Sequence, residues 1–297
     1  MATLDELVTH RQMIVGGLRM HVAEAGQGPP VVLLHGFPDF WYSWRRQIPA
    51  LVDAGYRVLA PDLRGYADTE SPRGVRAYRM ERLVADVAGL LRATGQPALL
   101  VGHDWGGAIA WETAAAHPEL VARLAVCNMP HSRRFQQGLR TRRQLQRSWY
   151  IGFFQLPVIP ELLLRAGRGY ALRRVLREHA TRSDAFTGAD LDRYVEALIG
   201  RGDLTGPVNY YRAAVRAALR GGAVFGPAGG RVAQPVLVLW GERDLALGAE
   251  LAEPPGDLVP DARVVRYPEA GHWVHLDEHE AVTAELVRFA DDTGSAG

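Results

Sequence analysis

Lysine is missing from this chain of 297 residues: all 34 basic side chains are arginine, set against 33 acidic ones for a formal net charge of +1. That balance excludes an overall basic or acidic character. No block of like charge forms a nucleic-acid arm or an acidic tail. With so much alanine and glycine alongside, the preference for arginine reads as the mark of a GC-rich genome rather than of a function. A single cysteine, Cys127, excludes an intramolecular disulfide framework and a cysteine-based zinc cluster. No grouping of His, Cys and Asp has metal-ligand spacing, so neither metal nor other cofactor is expected. Apolar runs are short: Val31–Leu34, Ala98–Val101 and Pro235–Trp240 fall far below the ~18 residues of a spanning helix. The first residues carry no basic segment followed by an apolar one, so no signal peptide is read. The expectation is a soluble, cytoplasmic globular protein with no nucleic-acid partner and no membrane insertion, either monomer or homodimer.

What is present is a regular alternation. Short apolar runs bounded by Gly, Pro or Asp read as buried strands, and amphipathic stretches lie between them. Strands are expected at Val31–Leu34, Arg57–Ala60, Ala98–Val101, Ala122–Cys127, Pro235–Trp240 and Arg263–Tyr267. Helices are expected at about Tyr42–Val52, Arg79–Ala93, Gly106–Ala116 and Glu278–Phe289. Such alternation implies right-handed crossovers on a mostly parallel sheet with helices on both faces. From about Pro130 to Arg220 the strand signal disappears and the spacing is helical throughout. The chain therefore divides into a first core part at 1–129, an inserted helical cap at 130–220 and a second core part at 221–297. Gly221–Gly230, rich in glycine, reads as the hinge by which the chain returns to the core.

Gly102-His103-Asp104-Trp105-Gly106 follows the Ala98–Val101 strand and opens the next helix. Small residues two before and two after a polar centre permit a tight turn that lifts the central side chain into the open. With serine at the centre this is the nucleophile elbow of α/β-hydrolases. With Asp104 there, the nucleophile is a carboxylate, which attacks saturated carbon bearing a strained or good leaving group. An isolated Gly-rich turn with an N-cap Asp would be the plainer reading, but three further elements appear in order. His35-Gly36-Phe37-Pro38 closes an earlier strand, so the N–H groups of Phe37 and Trp105 form a candidate oxyanion hole. Gly241-Glu242-Arg243-Asp244 supplies an acid, Asp244, with Glu242 as its rival. Ala270-Gly271-His272 supplies a base, His272, which activates water while the acid holds its tautomer. His275 and His279 read as solvated helix residues, and Cys127 as a packing residue.

Taken together, these motifs resemble the α/β-hydrolase-fold epoxide hydrolases. The resemblance rests on His35-Gly36-Phe37-Pro38, Trp41, Trp44, Pro61-Asp62-Leu63-Arg64-Gly65, Ser71-Pro72, Gly102-His103-Asp104-Trp105-Gly106-Gly107 and the Asp244 and His272 segments. It spans nearly the whole chain. It implies an α/β-hydrolase fold, with Asp104 as nucleophile, His272 as base and Asp244 as its acid partner. In this family two cap phenols protonate the opening ring, and Ser148-Trp149-Tyr150 and Asn209-Tyr210-Tyr211-Arg212 match their segments. The resemblance thus makes Tyr150 and Tyr211 the proton donors, a small apolar epoxide the substrate and a vicinal diol the product, with Tyr210 left to packing. A phenol with a pKa near ~10 suits an alkoxide and stays protonated at neutral pH.

Two other functions share much of this pattern. A haloalkane dehalogenase uses the same nucleophile, but usually has Asn or Gln where this chain has Phe37, to hold the departing halide. A non-catalytic receptor of the same fold need not keep nucleophile, acid and base together. The arginine-rich run Arg133–Arg147 reads as a solvated cap face.

Overall fold

The computed structural model describes residues 3–222, 224–225 and 230–292. Of the expected return hinge, positions 223 and 226–229 lie outside the described residues. Eight strands form one sheet: β1 (Thr9–Val15), β2 (Leu18–Ala25), β3 (Pro30–Leu34), β4 (Arg57–Pro61), β5 (Ala98–His103), β6 (Val121–Cys127), β7 (Val236–Gly241) and β8 (Ala262–Tyr267). Their order is β1-β2-β4-β3-β5-β6-β7-β8. The first two pairings are antiparallel and all others parallel. This is the α/β-hydrolase fold. Every residue of β3, β5 and β7 is buried, as continuous apolar runs covered on both faces must be.

The helix Met80–Ala93 shows how the covering works. Leu83, Val84, Val87, Leu90 and Leu91 recur at helical spacing and are all buried, whereas Glu81, Arg82 and Arg92 face outward. Its neighbour Trp105–Ala116 has almost no polar face and is buried along most of its length. Residues 42–52, read from sequence as one helix, instead form a tight turn at Trp41–Trp44 and a helix at Gln47–Asp53. Pro49 lies in that helix's first turn, where its missing N–H costs no intrahelical bond.

Sequence reading missed the β1–β2 hairpin. Most of β1 is exposed and polar, so it shows no apolar run. The available signal was the two-residue loop Gly16-Gly17, whose φ values of +57° and +86° suit the reversed turn that hairpins favour.

Parallel register aligns the carboxyl ends of the inner strands. Leu34 pairs with Gly102, His103 with Cys127, Cys127 with Leu239 and Gly241 with Tyr267. The loops leaving β3, β5, β6, β7 and β8 consequently emerge on one side of the sheet. Between β6 and β7 the described chain forms helices only, from Ser132–Gly138 to Thr205–Ala218. Polar contacts tie this block to the core: Tyr194 donates to Asp39 at 2.7 Å in a buried contact, and Tyr42 to Asp190 and Tyr210 to the Arg64 carbonyl, each at 2.9 Å, in half-buried ones. Among the described residues no helix is long and apolar enough to cross a membrane.

Candidate active site

Asp104 sits between the last residue of β5 and the first turn of the Trp105–Ala116 helix, with φ +47° and ψ −120°. A side chain is rarely tolerated in that conformation, which costs roughly 1–3 kcal/mol. The turn closes this sharply because its flanks are glycine. A Cβ at Gly106 would overlap the carbonyl oxygens of Leu34 and His35, and one at Gly102 would overlap the backbone of Gly106. Strain at this position points the carboxylate out of the turn.

Two groups receive it. The Phe37 N–H donates to Asp104 Oδ2 at 2.8 Å, and His272 Nε2 stands 3.7 Å from Oδ1. Trp105 is the first residue of its helix, so its N–H has no partner within that helix.

His272 follows β8, and its Nδ1 lies 2.7 Å from Asp244 Oδ2. Asp244 is held on all sides: Oδ1 accepts from the N–H of Ala246 at 2.7 Å and of Leu247 at 3.0 Å, and Oδ2 also accepts from Asn128 Nδ2 at 2.8 Å. An acceptor so fully supplied with donors is anionic. Burial works to raise its pKa, but the charge of His272 and these hydrogen bonds outweigh burial and lower it. Nδ1–H of His272 therefore donates to Asp244, and Nε2 faces Asp104. Burial would lower the His272 pKa, but the charge and hydrogen bond of Asp244, then the charge of Asp104, raise it to about 9. A pKa of about 9 keeps the second proton on the His272 ring at neutral pH.

Asn128 was invisible in the sequence. It follows β6 with φ +41° and is wholly buried. Besides Asp244 it bonds both backbone groups of Gly241, donating at 3.1 Å and accepting at 2.8 Å. It thereby fixes the end of β7, from which Asp244 projects. A lone Asn carries no pattern, and only the β6–β7 register reveals its place. Asp39 and His103 form a second buried pair, 3.6 Å apart, with His103 Nε2 3.0 Å from the His272 carbonyl oxygen.

Two sequence expectations need correction or placement. His275 is not solvated: the short helix Val274–Asp277 turns back into the molecule and buries it between Trp44 and His103, 3.0 Å from Ser43 Oγ. Burial holds it well below its ordinary pKa, hence neutral. Glu242, the rival acid, points away and pairs with Arg266 at 3.1 Å.

Tyr150 and Tyr211 come from separate helices, Trp149–Phe153 and Thr205–Ala218, yet their rings meet edge to face at 5.8 Å. Tyr211 also packs edge-on against Trp105 at 5.1 Å and Phe37 at 5.3 Å. Burial first, then the charge of Asp104, raises the pKa of both phenols, so both keep their protons. Gln155 and Arg212 stitch their segments together. Gln155 Nε2 donates to the carbonyls of Ile151 at 2.9 Å and Tyr211 at 3.4 Å. Arg212 donates to the carbonyls of Phe154 at 3.1 Å and Leu156 at 2.6 Å and pairs with buried Glu161 at 2.6 Å. Tyr210, by contrast, is spent on the Arg64 carbonyl.

Folding also brings together His21, Asp62 and Asp68, whose potential ligand atoms lie within 4.8 Å of one another. Their bonding is already internal: His21 Nδ1 meets Asp62 at 2.7 Å, Asp62 accepts the Trp41 N–H at 2.9 Å, and Asp68 pairs with Arg201 at 2.8 Å.

A carboxylate at the elbow between β5 and its following helix, on this sheet, defines a class: an α/β-hydrolase fold with aspartate at the strand-to-helix turn. The family model for the alpha/beta hydrolase fold matches residues 29–279. The chain is 37% identical over 282 residues to epoxide hydrolase 4 of Homo sapiens, covering 92% of this chain and 76% of that one. It is 34% identical to epoxide hydrolase A of Mycobacterium tuberculosis, covering 95% and 97% of the two chains. A crystal structure of Bacillus megaterium epoxide hydrolase with an inhibitor superposes with a TM-score of 0.87 at 29% identity, covering 94% and 99%. The chain belongs to the epoxide hydrolases of the α/β-hydrolase fold family.

Proposed function

We propose that this enzyme adds water to an apolar epoxide, giving a vicinal diol through a covalent ester of Asp104. One observation carries the reading: the Asp104 carboxylate is faced by His272 of a His–Asp pair and bonded by the Phe37 N–H, while Tyr211 packs on both Phe37 and Trp105 and Tyr150 packs on Tyr211. Tyr150 and Tyr211 donate hydrogen bonds to the epoxide oxygen. Asp104 Oδ1 attacks a ring carbon from the opposite side, the C–O bond breaks, and a phenol protonates the departing alkoxide. Oδ2 already accepts the Phe37 N–H, so it becomes the ester carbonyl oxygen without reorganisation.

Esterification then removes the Asp104 charge. One cause of the raised His272 pKa disappears with it, and the ring gives up its proton, which returns to the phenolate left by ring opening. His272 thus becomes a base only once there is an ester to hydrolyse. Nε2 takes a proton from water as its oxygen attacks the Asp104 carboxyl carbon. The N–H groups of Phe37 and Trp105 stabilise the oxyanion, and collapse releases the diol. In this scheme the segment 130–220 acts as a cap over the core formed by 1–129 and 221–297.

A haloalkane dehalogenase fits less well, because Phe37 packs its ring on Phe154 and Tyr211 and offers a halide no side-chain donor. The deciding assay offers aryl and alkyl epoxides alongside haloalkanes and quantifies diol and free halide, with Asp104→Ala as control. Diol from the wild type alone is the expected result. Halide without diol overturns the proposal.

A further inference from the structure

We infer that the outer face of the cap is a docking surface for an anionic phospholipid bilayer, on which the protein lies peripherally. Soluble proteins scatter their exposed apolar side chains singly, so a concentration of them carries meaning. Here Trp149, Leu156, Val158, Ile159, Leu162 and Leu163 fall within fifteen residues, each between 43% and 68% exposed. Ile159, Leu162 and Leu163 stand at i, i+3 and i+4 on one helical face, which points outward. The ring of Trp149 meets Phe153 at 6.1 Å, and the Leu156 N–H bonds the Phe153 carbonyl, so the apolar surface runs on from Trp149 towards that helix. The helix that carries Tyr150 therefore presents Trp149 to the outside.

Charge chooses the partner. Residues 139–177 contain nine arginines and a single acidic residue, Glu161, which is buried and paired with Arg212. Arg165, Arg173 and Arg174 pair with Asp203, Asp192 and Glu178 from outside that stretch, and the other six form no ion pair with an acid among the described residues. Arg140, Arg142 and Arg143 are exposed and form no ion pair among the described residues. A second copy of this chain would bring an equally cationic face against this one, so self-association by a two-fold axis is opposed. A bilayer with anionic headgroups supplies both complements at once: acyl chains for the Trp and Leu side chains, phosphates for the guanidiniums. The arginine run read from sequence as a solvated face borders this apolar surface.

Trp149 makes the idea directly measurable, because the other six of the seven tryptophans are buried. Full-length protein is mixed with vesicles of phosphatidylglycerol and phosphatidylcholine, or of phosphatidylcholine alone, and binding is followed by co-flotation. Brominated lipid in the same vesicles quenches only an indole that reaches the acyl boundary. Expected are binding to the anionic vesicles, loss at high salt, and bromine quenching that disappears in Trp149→Phe. Arg142→Gln with Arg143→Gln should weaken binding by about fivefold for each charge removed. Leu162→Ser with Leu163→Ser should abolish quenching while leaving turnover of a dissolved substrate unchanged. Equal binding to neutral vesicles, anionic binding without quenching, or protein-concentration-dependent dimerisation that protects Trp149 without lipid would each overturn the inference.

Discussion

Replacing Asp104 with asparagine should turn His272 from an acid into a base without otherwise disturbing the site. Asparagine keeps an oxygen for the Phe37 N–H and removes a charge 3.7 Å from Nε2. At that separation and an effective dielectric constant of ~20, a unit charge is worth about 4 kcal/mol, a ceiling of roughly three pKa units. Asp244 stays in place, so we expect His272 to fall from about 9 by about one to three units, into or near the neutral range. Nitrogen-15 NMR of the histidine rings between pH 5 and 10 measures this, and His272→Gln identifies the resonance. The same shift has a consequence for stability. The folded-state pKa lies above the unfolded value of ~6.5, so the contribution is complete below that value and is lost as pH rises through about 9. It amounts to roughly 3 kcal/mol in the wild type, and chemical unfolding at pH 6 and pH 10 should show a smaller loss in Asp104→Asn. A wild-type His272 that titrates below 7, or an identical pKa in both proteins, would refute the proposal that esterification creates the base.

Three further outcomes are expected. His272→Gln should still open an epoxide but not release it, leaving Asp104 heavier by the mass of the substrate; an unmodified, folded, substrate-binding variant argues against the covalent scheme. Tyr150→Phe with Tyr211→Phe should slow ester formation ~100- to 10,000-fold in rapid-quench experiments, the usual worth of a general acid; a wild-type rate removes both tyrosines from the chemistry. Arg212→Met should leave Glu161 buried and unpaired at a cost of about 3–5 kcal/mol in denaturant unfolding. Its product formation should suffer through kcat more than through KM if the clamp sets the spacing of the phenols.

The contrast between Asp244 and Glu242 shows where sequence reading stops. Both follow β7 within four residues, and nothing local separates them. The structure sends Glu242 to Arg266 at the surface and turns Asp244 inward to Asn128, Ala246, Leu247 and His272. His275 teaches the same lesson in reverse, since burial or exposure of a four-residue helix depends on the direction of its neighbours. The metal-free reading rested on spacing along the chain, whereas His21 and Asp62 meet through a sheet pairing across 41 residues.

The sequence alone determined the alternation of strands and helices, the glycine-flanked elbow at Asp104 and the order in which acid and base follow it. These depend on backbone conformation and on hydrophobic period, which act over a few residues. Resemblance added the phenols. Tertiary structure decided the rest: which carboxylate meets His272, how Asn128 braces it, how Gln155 and Arg212 bring two distant tyrosines within ring contact, and which cap side chains remain outside. Each of those is a matter of register and burial, and both are set by contacts between residues far apart in the chain.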